Sequence, residues 1–172
     1  MITYTHNSKE VTASILPDGF FSIGQGEREH PCFLEMDLGT MPVKRSNPHL
    51  SSISKKLLLY FHLYDQHRIH KDRSLLSQYF DVSSFRMCFV TSPTERMERM
   101  IQVCQELFSH GRKLFWFTTR DQVRLEDPLT LFHPIWYTGQ TTLSGGRIIP
   151  PQQGLEGIFG AQHTAYLPQA LL

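Results

Sequence analysis

The run Cys32-Phe33-Leu34-Glu35-Met36-Asp37-Leu38-Gly39-Thr40 alternates with a period of two, the repeat of a β-strand. Leu34, Met36 and Leu38 fall on one face, while Phe33, Glu35 and Asp37 fall on the other. Two carboxylates two residues apart on one face repel each other and resist burial. Either that face meets water, or a divalent cation holds the two together with a third acid from elsewhere in the chain. What surrounds this strand decides between them.

Upstream, Pro17-Asp18-Gly19 is a turn signal and Phe20-Phe21-Ser22-Ile23 is strand-like, so Phe20 to Leu38 reads as an antiparallel hairpin. Residues 1–12 are polar and show no helical periodicity. Downstream, Gly39 to Pro48 is a loop, and a helix runs from about Leu50 to Gln66. Its apolar stripe is Ile53, Leu57, Tyr60, Phe61 and Tyr64; Lys56 flanks that stripe beside Tyr60, whereas Lys55 points away from it. Lys71 to Phe80 reads as a second, shorter helix. Phe85 to Thr91 is a buried-type strand, and Ser92-Pro93-Thr94-Glu95 opens a further helix carrying Met97, Met100, Ile101, Cys104, Leu107 and Phe108 on one side. Lys113 to Thr118 is another apolar strand, so strand–helix–strand order predicts a parallel crossover. Pro134 to Tyr137 reads as a short last strand. Beyond Gly139 glycines and prolines accumulate, and residues 140–172 read as a poorly structured tail.

With 172 residues and 40% apolar content, the chain can build one core with length left over. No apolar run approaches the roughly 18 residues that crossing a bilayer requires, so no membrane association is expected. Cys32, Cys88 and Cys104 are an odd, widely spaced set that fits buried thiols and a cytoplasmic location. Net charge is +1, but residues 44–73 hold seven bases against two acids, a local +5. That block (Lys44, Arg45, Lys55, Lys56, Arg68, Lys71, Arg73) suits a polyanion such as DNA, and equally a solvated helix face. His67-x-x-His70 lacks a third ligand at zinc spacing and reads as solvated histidines.

Asp18 at the start of one hairpin strand and Glu35 inside its partner can converge at the sheet edge. Carboxylates of this kind suit Mg²⁺ or Mn²⁺. Pro17-Asp18 followed by Glu35-Met36-Asp37 resembles the PD-(D/E)XK nuclease superfamily. The fuller run, Leu16-Pro17-Asp18-Gly19-Phe20-Phe21, then Phe33 to Pro42, then Lys56-Leu57-Leu58-Leu59-Tyr60, is similar to the replication-relaxation proteins of plasmids and mobile elements. The likeness covers roughly Ile15 to Gly139. It implies an α/β, restriction-endonuclease-like three-layer core with helices packed on a central mixed sheet, over residues 8–139. It also implies DNA processing, in the company of replication or mobilisation proteins. Members often carry a preceding winged-helix domain, for which this sequence has no room.

Where the nuclease pattern has lysine, this chain has Asp37. In the catalytic reading Asp18 and Glu35 bind the metal, Asp37 is a further ligand or base, and Lys56 replaces the displaced lysine. Lys56-x-x-x-Tyr60 places both side chains on one helix face, like the Gln-x-x-x-Tyr of some exonuclease branches. Against this stand plainer roles: Lys56 snorkelling along the stripe, Tyr60 in the core, Asp37 as a partner of Lys56. The alternative function is a non-catalytic DNA-binding or relaxosome accessory protein that keeps the fold and has lost the chemistry.

Overall fold

A computed structural model describes residues 2–6, 9–25, 28–47, 49–69, 84–110, 112–124, 126–127, 130–131, 133, 135–144 and 147–148. The chain is mixed α/β. A hairpin of β1 (Ile2–His6) and β2 (Lys9–Ala13) precedes a five-stranded mixed sheet. That sheet comprises β3 (Gly19–Gln25), β4 (Arg28–Met36), β5 (Arg86–Thr91), β6 (Phe115–Thr119) and β7 (Tyr137–Thr138), in that spatial order. The β3–β4 pair is antiparallel, β4–β5 and β5–β6 are parallel, and β6–β7 is antiparallel. The α-helices among the described residues are α1 (Ile53–Ile69) and α2 (Thr94–Leu107). A further short antiparallel pair is formed by β8 (Leu143–Ser144) and β9 (Arg147–Ile148).

Both helices pack on the same face of the sheet. Ile53, Leu57 and Tyr60 of α1 and Met97, Met100 and Ile101 of α2 share one buried cluster with Phe33, Met87, Phe89, Phe115 and Phe117. The opposite face buries Cys32, Cys88, Val90 and Trp116 beneath Trp136, Leu131 and Ile135, so loop and short 3-10 segments cover it among the described residues. The hairpin Phe20–Leu38, the strand near Phe85, the long central helix and the parallel β5–α2–β6 crossover all occur as the sequence patterns indicate.

Several boundaries differ. Ile2–His6 and Lys9–Ala13 form a strand pair where polarity gives no more than a hint of a strand end at Glu10-Val11, with Ile2 and Val11 buried in the main core and β1 lying against α1. That contact explains why α1 buries a wider arc than its stripe, taking in Leu59 and Leu63 as well. No side-chain cap closes α2; Pro93 occupies the N-cap position and its carbonyl accepts the Arg96 and Met97 amides instead. The segment beyond residue 139 begins with structure: Gln105 donates to the Thr141 carbonyl at 2.7 Å, and the Ile148 amide donates to Glu98 at 3.2 Å. Gly139 itself is buried against Arg112 and Cys104, with room for no Cβ. The expected helix at Lys71–Phe80, and residues 149–172, lie outside the described residues. All three cysteines are buried and unpaired.

Candidate active site at the carboxyl ends of two parallel strands

The loop after β4 determines where α1 begins. Gly39 turns the chain with φ of 79°, a left-handed conformation natural to glycine, and its amide donates to Asp37 Oδ1 at 3.3 Å. The loop then offers the carbonyls of Pro42 and Val43 to the first amides of α1, Ile53 and Ser54. Buried Ser52 supplies the cap, accepting the Lys55 amide at 3.2 Å. Every one of these bonds fixes the rotation of α1 about its axis. As a result Lys56 and Tyr60, one turn apart, both face the sheet.

They meet on Glu35. The Lys56 ammonium donates to one carboxylate oxygen and the Tyr60 hydroxyl donates to the other. Glu35 is 1% exposed, so the acid face of β4 is the buried face, covered by helices rather than water. Its apolar counterpart is the more open one: Met36 is 38% and Leu38 73% exposed. Burial pushes the Glu35 carboxyl above the ordinary range, against the opposing pull of the Lys56 and Tyr60 bonds and with help from the negative charge of Asp18. Burial, together with the same carboxylates, also raises the Tyr60 phenol strongly, so it stays a donor.

Asp18 is exposed at the entry to β3. Its amide donates to the Leu34 carbonyl at 2.9 Å, and its Oδ2 accepts the Met36 amide at 2.8 Å. The side chain therefore straps the first hairpin strand to the end of β4, next to Glu35.

Asp37 goes elsewhere. Its backbone continues the β4–β5 ladder, donating to the Val90 carbonyl at 2.8 Å, and register places it opposite Thr91. Its carboxylate receives the Arg96 guanidinium on both oxygens, Nη2 to Oδ1 at 2.9 Å and Nε to Oδ2, plus the Thr91 hydroxyl. The Arg96 guanidinium also donates to the Met41 carbonyl. Burial raises the Asp37 carboxyl, but the Arg96 and Thr91 bonds outweigh it and hold the group below its usual range. Asp37 is thus no partner of Lys56; its carboxylate oxygens accept from Arg96 and Thr91.

A pocket of about 120 Å³ sits at the carboxyl ends of β4 and β5, bordered by Glu35, Asp37, Leu38, Met41 and Lys56. In open α/β sheets this end is where ligands bind. A second hollow of about 160 Å³ lies on the other side of Lys56 and Met41, bordered by Ser14, Leu16, Ser51, Ser52 and Lys55. Among the described residues no group of three His, Cys, Asp or Glu side chains is placed to hold a metal ion.

The basic block is divided. Lys44 pairs with Glu106 at 2.8 Å and Arg68 with Asp65 at 3.0 Å, both at the surface. Arg45 is exposed, Lys55 donates to the His49 carbonyl at 3.0 Å, and Lys71 and Arg73 lie outside the described residues. Lys55 therefore does not reach solvent alone; it closes the turn ahead of α1. Arg96 and Thr91 have no counterpart among the sequence candidates. Thr91 follows once Glu35 is registered against Phe89, but Arg96 carries no signal until α2 is known to start beside Asp37. No family model, curated protein or solved structure matches this chain. No helix among the described residues is long and apolar enough to cross a membrane.

Proposed function

We propose that this chain processes DNA at the Asp18–Glu35–Lys56–Tyr60 cluster, on a restriction-endonuclease-like core of the replication-relaxation kind. Its setting would be a plasmid or mobile element, alongside replication or mobilisation proteins. The observation that carries this reading is the convergence of Lys56 and Tyr60 from α1 on the buried Glu35 of β4. A lysine displaced from the strand has its ammonium returned to the same carboxylate from the adjacent helix.

A divalent cation would, on this reading, be held by two carboxylates and not by a group of three, which the described residues do not provide. Asp37 is closed off by Arg96, which leaves Asp18, exposed, and Glu35, whose carboxyl feels the charge of Asp18. Mg²⁺ is commonly held by one or two carboxylates with water and substrate phosphate completing the shell. Asp18 and Glu35 are the residues that would hold Mg²⁺ or Mn²⁺, and the ion would offset charge on the phosphate oxygens. The chain's own groups have separate tasks. Lys56, 27% exposed at its side chain, presents a positive charge to a phosphate oxygen at the pocket mouth. Glu35, which accepts from both Lys56 and Tyr60, would turn one oxygen to the ion as Lys56 turns to the phosphate. Tyr60 fixes the orientation of Glu35 by donating to it.

A second reading rests on a specific observation as well. Both Glu35 oxygens are already bonded, and Asp37 stands where a lysine would be, so the fold also suits a DNA-binding accessory protein without chemistry. The test is incubation of supercoiled plasmid and labelled oligonucleotides with Mg²⁺ or Mn²⁺, with binding followed across a salt series. Cleavage by the parent that is lost in Lys56→Ala supports the nuclease reading. Salt-dependent binding without cleavage supports the accessory one. Neither binding nor cleavage at low salt rules out both.

A further inference from the structure

The large apolar side chains most exposed among the described residues are Leu16 at 85% and Leu38 at 73%. They stand on opposite sides of the candidate site. Leu38 borders the pocket that holds Glu35, and Leu16 borders the second hollow, with Lys56 and Met41 forming the wall common to both. Neither leucine sits on a slack segment. Two residues beyond Leu16, the Asp18 amide is bonded to the Leu34 carbonyl, and next to Leu38 the Asp37 amide is bonded to the Val90 carbonyl. The leucines are thus held out from the sheet by anchored backbone.

On the reading of this site as a DNA-processing centre, we infer that its substrate is unpaired DNA, with Leu16 and Leu38 as apolar wedges against the bases either side of the phosphate that meets Lys56. The arrangement alternates in the way a single strand does: apolar side chain, ammonium, apolar side chain. The hollow beside Leu16 adds Lys55 and the hydroxyl-bearing Ser14 and Ser51, which suit sugar and phosphate oxygens. In an intact duplex the base faces are stacked on one another. A leucine reaches them only by entering a step and unstacking it, which is how apolar wedges act on DNA. Unpaired nucleotides offer those faces without that cost. A protein partner fits less well, because docking faces present contiguous apolar surface, and here a lysine and two carboxylates divide it.

Fluorescence anisotropy with a labelled single strand and with its duplex, Ca²⁺ replacing Mg²⁺ to hold back any cleavage, tests the inference. The parent should bind the single strand about tenfold more tightly than the duplex, a difference no larger than the cost of unstacking one duplex step. In the Leu16→Ser/Leu38→Ser double variant, whose sites are exposed and leave the core intact, that preference should vanish while the salt dependence of binding stays. A 2-aminopurine base beside the bound phosphate should change its emission with the parent and not with the double variant. Equal parental affinity for both forms, or a preference that survives the double substitution, overturns the wedge inference and leaves DNA processing standing. Failure of the parent to bind either form at low salt overturns DNA processing and the wedge with it.

Discussion

Glu35 and Asp37 are the same kind of group on the same face of one strand, two residues apart, and the fold treats them in opposite ways. Glu35 meets an ammonium and a phenol from α1, is buried, and has its carboxyl raised. Asp37 meets a guanidinium and a threonine at the β5–α2 junction and has its carboxyl lowered. The difference lies in the partners. A guanidinium fork bonds both carboxylate oxygens in plane and keeps its charge, so Asp37 becomes a fixed strut tying β4, the Met41 loop and α2 together. A single ammonium, 27% exposed, satisfies one oxygen of Glu35 and can leave for solvent or a phosphate. One acid is committed to structure, and the other keeps a partner that can be exchanged.

Arg96→Ala should therefore be the most damaging change to either acid. It strands Asp37, whose side chain is only 5% exposed, and also frees the Met41 carbonyl. Removing one member of a buried pair costs about 3–5 kcal/mol, which a shift in the urea midpoint would register. Adding Asp37→Asn should recover part of the loss. If Arg96→Ala costs no more than Lys56→Ala, the two acids are not different in kind.

Lys56→Ala should cost less, about 1–2 kcal/mol near neutral pH, because Tyr60 remains and Glu35 can take up a proton. The pH dependence separates the two sites by sign. Glu35 has a folded pKa above its unfolded one, so its ionisation works against folding as pH rises through the folded value. The cost of Lys56→Ala should thus be larger at pH 8 than at pH 5. Asp37 has a folded pKa below the ordinary 3.8, so its contribution is complete above that value and is lost as pH falls through the folded one. Acid unfolding should accordingly be steeper in the parent than in the Arg96→Ala/Asp37→Asn double variant. Parallel pH profiles for the two single variants would remove the distinction.

How far the sequence carried this site follows from where its information is local. The Phe20–Leu38 hairpin, α1 and the β5–α2–β6 crossover are written in short-range periodicity, and so is the Lys56–Tyr60 pairing on one face of α1. The choice of which face of β4 is buried is not. Alternation suggests that Leu34, Met36 and Leu38 turn inward; Leu34 does pack in the second core beside Cys32, but Met36 and Leu38 open to solvent while Glu35 lies under the helices. Packing of α1 and α2 on that side, with paired cations to neutralise the acids, overrode hydropathy. The fate of Asp37 was hidden for the same reason: Arg96 lies 59 positions away, and only the parallel β4–β5 register brings it near. At the N-terminus the β-branched Ile2, Thr3, Thr5, Val11 and Thr12 carried a strand signal that polarity masked.

The smallest effect on stability is expected at Asp18, and it says most about the site. Asp18→Asn keeps an oxygen to accept the Met36 amide and sits in solvent, so folding should change by no more than about 0.5 kcal/mol. Yet the substitution removes the negative charge that helps to raise Glu35. The Glu35 titration, followed by NMR of its side-chain carboxyl carbon, should move to lower pH, and Asp37 should not move with it. Any Mn²⁺ bound between Asp18 and Glu35 should be lost in the same variant, by calorimetry. A Glu35 titration that ignores the loss of Asp18 would separate the two carboxylates electrically and leave Asp18 as a hairpin strap alone. A shift without Mn²⁺ binding in the parent would keep the pair and turn the reading toward the accessory protein.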